Sequence, residues 1–314
     1  MADSIRIAVI PAAGLGTRNF VSPELPKEML PAFDRPLIHH IIDEAREAGI
    51  DRFVFVLSPG KEILPRHFEP HPELEDTLRA RGKKDVLDFL SAAALRPEQV
   101  EVVYQERPLG LGHAVLCANP YVGDRPFAVM LPDEITLGRP RCLEQMMQAY
   151  RRHGGNIIAA TNVPRDQTNR YGILKLGAPE GQTAAIEGMI EKPRPDVAPS
   201  TSAIVGRYIL QPRIFSHLAR TGQGAGGEIQ LTDAMERLRQ EQSFRGFVYP
   251  GMRHDCGHLV GLLGCAAAVA LQHPRYAAEA RAHLSALLAP VRPPPQPGGE
   301  TGQTPESGID LAPK

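Results

Sequence analysis

The chain opens with an apolar run, Ile7 to Ala13, that stops at Gly14; an unbroken run bounded by glycine predicts a buried parallel strand ending in a loop. Asp34-Arg35-Pro36 then opens a helix, with Leu37, Ile38, Ile41, Ile42, Ala45 and Ala48 on one face and Gly49 at its end. Phe53 to Leu57 reads as a second buried strand. Strand, loop, helix and strand form a βαβ unit, which implies a parallel sheet with right-handed crossovers. Residues 61 to 95 read as a helical excursion broken early by Pro65, Pro70 and Pro72, with Leu74, Leu78, Val86, Leu87 and Leu90 as core positions. Val100 to Tyr104 returns to strand and meets a loop that runs into a small helix by Val115. Phe127 to Leu131 is another strand, and it delivers Pro132-Asp133-Glu134 at its carboxyl end, where open α/β sheets bind ligands. Leu143, Met146, Met147 and Tyr150 give a helical stripe.

From Asn156 the pattern shifts to strands separated by turns at Tyr171-Gly172, Gly177 to Gly181 and Glu191-Lys192-Pro193. Ile204 to Leu210 is strand and residues 212 to 219 are helix. The stretch Gly226 to Asp233 is expected to start a further helix, with Glu228 in its first turn. After Gly257 comes one long helix, to about residue 289, in which Gly261, Gly264, Ala266, Ala267, Ala268 and Ala270 let another element approach, inside the subunit or from a second one. Residues 290 to 314 are rich in Pro and Gly, and this composition predicts a disordered tail.

With 314 residues and 42% hydrophobic content the chain can bury one large core or two small ones. A formal charge of -1, no tryptophan and no basic stretch interleaved with aromatics argue against nucleic acid as a partner. Cys117, Cys142, Cys256 and Cys265 are far apart and lack a Cys-x-x-Cys spacing, so they read as reduced thiols and not as a disulfide frame or a zinc site. The N-terminal run is a poor signal peptide and the apolar run Leu259 to Leu271 is too short for a bilayer. No membrane association and a cytoplasmic location are expected.

Gly14 and Gly16 remove the side chains that would keep backbone N–H groups from an anion, and Thr17, Arg18 and Lys27 add a hydroxyl and two cations. A lone glycine pair is most often a plain turn; the two cations favour phosphate. The dinucleotide fingerprint is excluded because Asn19 stands where its third glycine belongs, which argues against a nicotinamide-dependent dehydrogenase. A P-loop is excluded too, since no Gly-Lys-Ser/Thr follows.

Together, Gly14-Leu-Gly-Thr-Arg18 and Pro26-Lys-Glu-Met-Leu-Pro31 resemble the signature of the sugar-nucleotide pyrophosphorylases. The likeness extends from Ile5 to about Leu288 through Leu109 to Val115, Leu131-Pro-Asp133, Arg170-Tyr-Gly172, Glu191-Lys-Pro193, Ala203 to Tyr208, Gly224 to Asp233 and Asp255-Cys-Gly257. Within that group the chain is most similar to the bacterial enzymes that join UTP to glucose 1-phosphate. The resemblance implies an α/β, Rossmann-like nucleotidyltransferase fold, with a mixed, mostly parallel central sheet flanked by helices. It also implies Mg²⁺ dependence, single displacement and a homo-oligomer, dimer or tetramer. The nucleotide-binding part would span about 1 to 155 and the sugar-binding part about 156 to 256.

In such a reaction the attacking phosphate is already ionised, so no general base is needed and catalysis reduces to positioning and charge neutralisation. Each unscreened pair of like charges near 4 Å costs roughly 4 kcal/mol at an intermediate dielectric, so cations are needed. Carried over by motif, Ala13, Gly14, Leu15, Gly16 and Thr17 would cradle the triphosphate, with Arg18, Lys27 and Lys192 as catalytic cations. Gln105 and Gly110 would read uracil, Gly172 and Glu191 would hold glucose, and Asp133 and Asp255 would hold Mg²⁺. Two stretches depart from the family: residues 19 to 26, and His258-Leu259, where a serine and a lysine are usual. The competing readings are a thymidylyltransferase or other sugar-1-phosphate nucleotidyltransferase, and a non-catalytic paralogue that binds and modulates an active enzyme.

Overall fold

Strand β1 (Ile7–Ala12) sits third from one edge of a nine-stranded sheet and is buried on both faces, which is why its sequence is continuously apolar. The structure is a computed structural model, and it describes residues 4–289 except 15, 17–21 and 23. Leu15, Thr17 and Arg18, like the 290–314 tail, therefore lie outside the described residues.

After β1 come α1 (Leu37–Glu47), β2 (Arg52–Leu57), α2 (Ile63–Arg66), α3 (Pro72–Ala80), α4 (Lys84–Ala93) and β3 (Val100–Tyr104). Next are α5 (Leu111–Cys117), α6 (Asn119–Val122), β4 (Phe127–Met130), β5 (Glu134–Leu137) and α7 (Cys142–His153). The rest holds β6 (Asn156–Asn162), β7 (Gly172–Glu180), β8 (Thr183–Glu191), β9 (Ser202–Leu210), α8 (Ile214–Leu218), α9 (Leu231–Leu238) and β10 (Phe244–Val248). It ends with β11 (Met252–Asp255), α10 (Leu259–Gln272) and α11 (Ala277–Leu288).

The sheet order is β3-β2-β1-β4-β9-β6-β10-β8-β7. β1 pairs in parallel with β2 and β4, and β2 with β3, as the βαβ reading requires. β9 runs antiparallel between β4 and β6, so the expected mixed α/β sheet crosses from the first half of the chain into the second. Alternate residues feed two cores. Ala8, Ile10, Phe53 and Phe55 pack with α1 and α7, while Ile7, Val9, Val54 and Val56 pack with α5, α8 and α9. On the second face Phe127 and Phe215 stack with centroids 5.1 Å apart.

Three expectations are corrected. In the 61–95 excursion Leu74 and Val86 are exposed, at 48% and 44%, and Leu78, Leu87 and Leu90 are only half-buried. Helices α3 and α4 pack on each other, and α4 reaches α1 through Phe89 against His39, so among the described residues the rest of their apolar stripe is only partly covered. What anchors the excursion is Leu64, Phe68, Ala93 and Leu95, with Phe68 against Phe55 and its carbonyl accepting from Leu95 N at 2.8 Å. Glu228 is not helical: Gly226 and Gly227 take left-handed φ values of 72° and 74°, ending a short turn, and α9 starts only at Leu231. The C-terminal helix is two helices, because Pro274 holds His273 extended and breaks the run after Gln272.

Outside the main sheet, β5 and β11 form an antiparallel ribbon pairing Glu134 with Asp255. Sequence reading missed β5. The ribbon decides where two of the predicted site residues meet.

Candidate functional site

Two adjoining cavities open at the carboxyl ends of β1 and β4. The smaller, about 310 Å³, is lined by Ala13, Gly14, Gly16, Lys27, Gln105 and Gly110, six of the predicted nucleotide-side residues. The larger, about 570 Å³, is lined by Gly172, Glu191, Lys192 and Asp255, the predicted sugar, phosphate and metal residues. Asp133 lines both, so it stands on their shared wall.

On the small side, Gln105 is buried and its Nε2 donates to the Gly110 carbonyl at 3.0 Å and lies 2.9 Å from His113 Nδ1. Burial, helped by Arg107, lowers the His113 pKa and favours the neutral ring that accepts that bond. Both amide hydrogens are then used, and the Gln105 carbonyl is left to accept from a ligand such as a pyrimidine imide N–H. Gly110 has φ 97°, and a Cβ there would come within 2.6 Å of Glu228 Cβ. The closeness is built by Ile229 N donating to Leu109 O and Gly112 N to Ile229 O, both at 2.8 Å.

On the large side, Glu191 Oε2 accepts from Thr232 Oγ1 at 2.7 Å, and its Oε1 lies 3.3 Å from Lys192 Nζ. Lys192 occupies the left-handed region, φ 47°, with its N–H held by the Tyr171 carbonyl at 3.0 Å. A non-glycine residue there costs on the order of 1 kcal/mol and is kept where the geometry is used. A Cβ on Gly172 would lie 2.8 Å from Ile204 Cδ1 and 3.2 Å from Glu191 Oε2, so only glycine leaves Glu191 its position.

The aspartates are joined through the ribbon. Cys256 N donates to the Asp133 carbonyl at 2.8 Å, which sets the Asp255-Cys256-Gly257 turn beside Asp133. Asp255 is buried; Oδ1 accepts from Gly257 N at 3.0 Å and Oδ2 from Tyr171 OH at 3.1 Å. Asp133 Oδ2 is 2.5 Å from Lys27 Nζ. Asp133 thus contacts Lys27 of the smaller cavity and is tied through its backbone to the turn that carries Asp255 of the larger. Beside them Glu134 is held by Arg253, whose guanidinium lies 4.7 Å over the Tyr171 ring. Burial pushes the Glu134 carboxyl up to about 8 against the pull of Arg253.

Sequence reasoning missed Tyr171, Thr232 and Arg253, as well as Glu28 and Lys61. Tyr171 and Thr232 lie inside stretches already singled out, so position in the motif was the available signal. Lys61 had none: it sits in a Ser58-Pro-Gly-Lys turn whose composition says only loop. The altered His258 acts as the cap of α10, its Nδ1 accepting from Gly261 N at 3.0 Å, and Leu259 is exposed.

The nucleotidyl transferase family model matches residues 7–270. A UTP–glucose-1-phosphate uridylyltransferase of Komagataeibacter xylinus is 45% identical over 258 residues, covering 82% of this chain and 91% of the relative. Among solved structures, a UTP-bound UGPase from Acinetobacter baumannii superposes with TM-score 0.83 at 35% identity, over 90% of this chain and 99% of that one. A UDP-glucose pyrophosphorylase complexed with UDP-glucose gives TM-score 0.76 at 32% identity, over 86% of this chain and 100% of that one. With a family model over most of its length and relatives of this identity matched nearly end to end, the chain belongs to the nucleotidyl transferases, among the UTP–glucose-1-phosphate uridylyltransferases.

Proposed function

We propose that the chain transfers a uridylyl group from UTP to glucose 1-phosphate, releasing pyrophosphate and giving UDP-glucose. The observation that carries this reading is the place of Asp133: it divides a glycine-lined cavity from one lined by Glu191 and Lys192. A nucleotide on one side and a sugar phosphate on the other would meet at that wall. Gln105 orients the base through its carbonyl, and Lys27 neutralises phosphate oxygens. Glu191, already fixed by Thr232, accepts from sugar hydroxyls, and Lys192, at the cavity rim, meets the sugar phosphate.

Asp133 and Asp255 fit a Mg²⁺ ion, which favours one or two carboxylates and completes its shell with phosphates and water. When bound, the ion stabilises charge on the phosphate oxygens during displacement. Pyrophosphate release measured with Mg²⁺ across a grid of nucleoside triphosphates and sugar 1-phosphates tests the reading. UTP with glucose 1-phosphate is expected to lead every other pair by at least about tenfold, equal to roughly 1.4 kcal/mol. A preference for dTTP would make it a thymidylyltransferase, and silence with every pair would make it a non-catalytic paralogue.

A cytoplasmic location and a homo-oligomer complete the proposal. No helix among the described residues is long and apolar enough to cross a membrane, and all four cysteines are free. In α10 Gly261 and Ala270 face inward, since a Cβ on Gly261 would sit on the Asp255 carbonyl and Ala270 is buried, whereas Ala266, Ala267 and Ala268 are half-buried. The outward face instead carries Leu259, Val260 and Leu263, exposed by 58%, 76% and 68%. Leu263→Arg is expected to lower the mass in solution to that of one subunit, as read by light scattering. An unchanged mass would exclude this face from an interface.

A further inference from the structure

Lys61 lies between β2 and α2, at the end of the strand that pairs with β1 through Ala12 and Leu57. Its side chain is largely buried, and Nζ has three acceptors around it: Ala12 O at 2.7 Å, Gly14 O at 2.8 Å, and the Glu28 carboxylate at 3.2 and 3.3 Å. An ammonium has three hydrogens. All three are spent inside the protein, so Lys61 has no donor left for a phosphate and is not one of the substrate cations.

What those bonds do to the glycine loop follows from peptide geometry. In a planar trans peptide the C=O of one residue and the N–H of the next point in opposite directions. With the Ala12 carbonyl drawn to Lys61, the Ala13 N–H faces the other way. Ala13 and Gly14 line the small cavity, and Lys61 is not one of its lining residues. A carbonyl turned into that cavity would present its negative end to a phosphate; turned to Lys61, it leaves amide N–H to face the anion. Lys61 also holds the second half of the motif. Glu28, 1% exposed in the turn Lys27–Met29, carries a buried carboxylate next to an anion site. Burial raises its pKa and lowers that of Lys61, and the pairing of the two offsets both costs. The neighbouring Lys27 pairs with Asp133.

We infer that Lys61 is the positioning residue of the phosphate-binding loop, holding its carbonyls away from the nucleotide and tying it to the Lys27–Met29 turn. The inference rests on the uridylyl-transfer reading. Lys61→Met alone confounds two effects, because it also strands the Glu28 carboxylate. The double variant Glu28→Gln/Lys61→Met separates them, since it removes both charges and leaves only the carbonyls unheld.

Calorimetric titration with UTP and Mg²⁺, KM and kcat for each substrate, and melting temperature are to be measured on the parent and both variants. Lys61→Met is expected to melt lower than the parent. The double variant is expected to regain most of that loss, yet both bind UTP at least about tenfold more weakly, the scale of one lost charge-assisted hydrogen bond. KM for glucose 1-phosphate stays within about twofold on the same scale. A double variant that binds UTP like the parent would reduce Lys61 to a counter-ion for Glu28 and overturn the inference while leaving the uridylyl reading intact. A parent protein that ignores UTP would overturn both.

Discussion

Asp133→Asn is expected to lower turnover by at least about 100-fold, an amount typical of removing one transition-state electrostatic contact. The replacement keeps size, turn propensity and one acceptor oxygen, so the chain should still fold. It loses the ion pair with Lys27, a contact in which both side chains are 14% exposed, and the cost of that loss should be about 1 to 2 kcal/mol in urea unfolding. The catalytic loss is expected to be larger because the carboxylate stands where both cavities meet, where on the proposed reading charge would pass from the attacking to the leaving oxygen. Raising Mg²⁺ should restore part of the rate, since Asp255 remains, held by Tyr171 and Gly257. Turnover within a few-fold of the parent at limiting Mg²⁺ would remove Asp133 from the metal site.

The second large effect is on stability. Arg207 and Glu44 form a wholly buried pair, with Nη2 to Oε2 at 2.8 Å and Nε to Oε1 at 3.2 Å. Glu44 also accepts from Thr136 Oγ1 and Leu143 N, each at 3.0 Å, while Arg207 Nη1 donates to Leu131 O at 3.2 Å. The cluster therefore joins α1, β5, α7 and β9 directly beneath the segment that carries Asp133. Arg207→Met would leave the carboxylate with two neutral donors and no counter-charge, at a cost of about 3 to 5 kcal/mol. Glu44→Gln/Arg207→Met should recover much of that, because a neutral amide needs no cation. Chemical denaturation of the three proteins measures both numbers; a loss below about 1 kcal/mol in the single variant would show that the pair adds little.

How much of this was legible in the sequence depended on how local the physics is. β1, α1 and β2 were readable because each buries a continuous run or a full helical face against its chain neighbours. Leu74 and Val86 misled because amphipathic spacing reports a stripe, not what lies above it, and among the described residues these two stay exposed. The glycine loop, Lys27, Gln105 and Asp133 were legible as motif residues. Lys61 was not, since its partners lie 33 to 49 positions away and its own neighbourhood spells a turn. The β5 and β11 strands are four residues each and are paired across more than a hundred positions, so no window of sequence contains both.

That ribbon has a consequence for how such a chain can diversify. The β7 and β8 hairpin, with Gly172 and Glu191 at its two ends and Lys192 next in the chain, lies at the edge of the main sheet and, along the chain, between two ribbon strands whose register is fixed by their own hydrogen bonds. β9 is fixed to β4 and, through Arg207, to Glu44, so it is the edge hairpin and not the whole stretch that can be reshaped for a different acceptor while the two aspartates keep their spacing. On the proposed reading, acceptor choice and carboxylate geometry would thus sit on separable pieces of one polypeptide, one free to vary while the other stays locked.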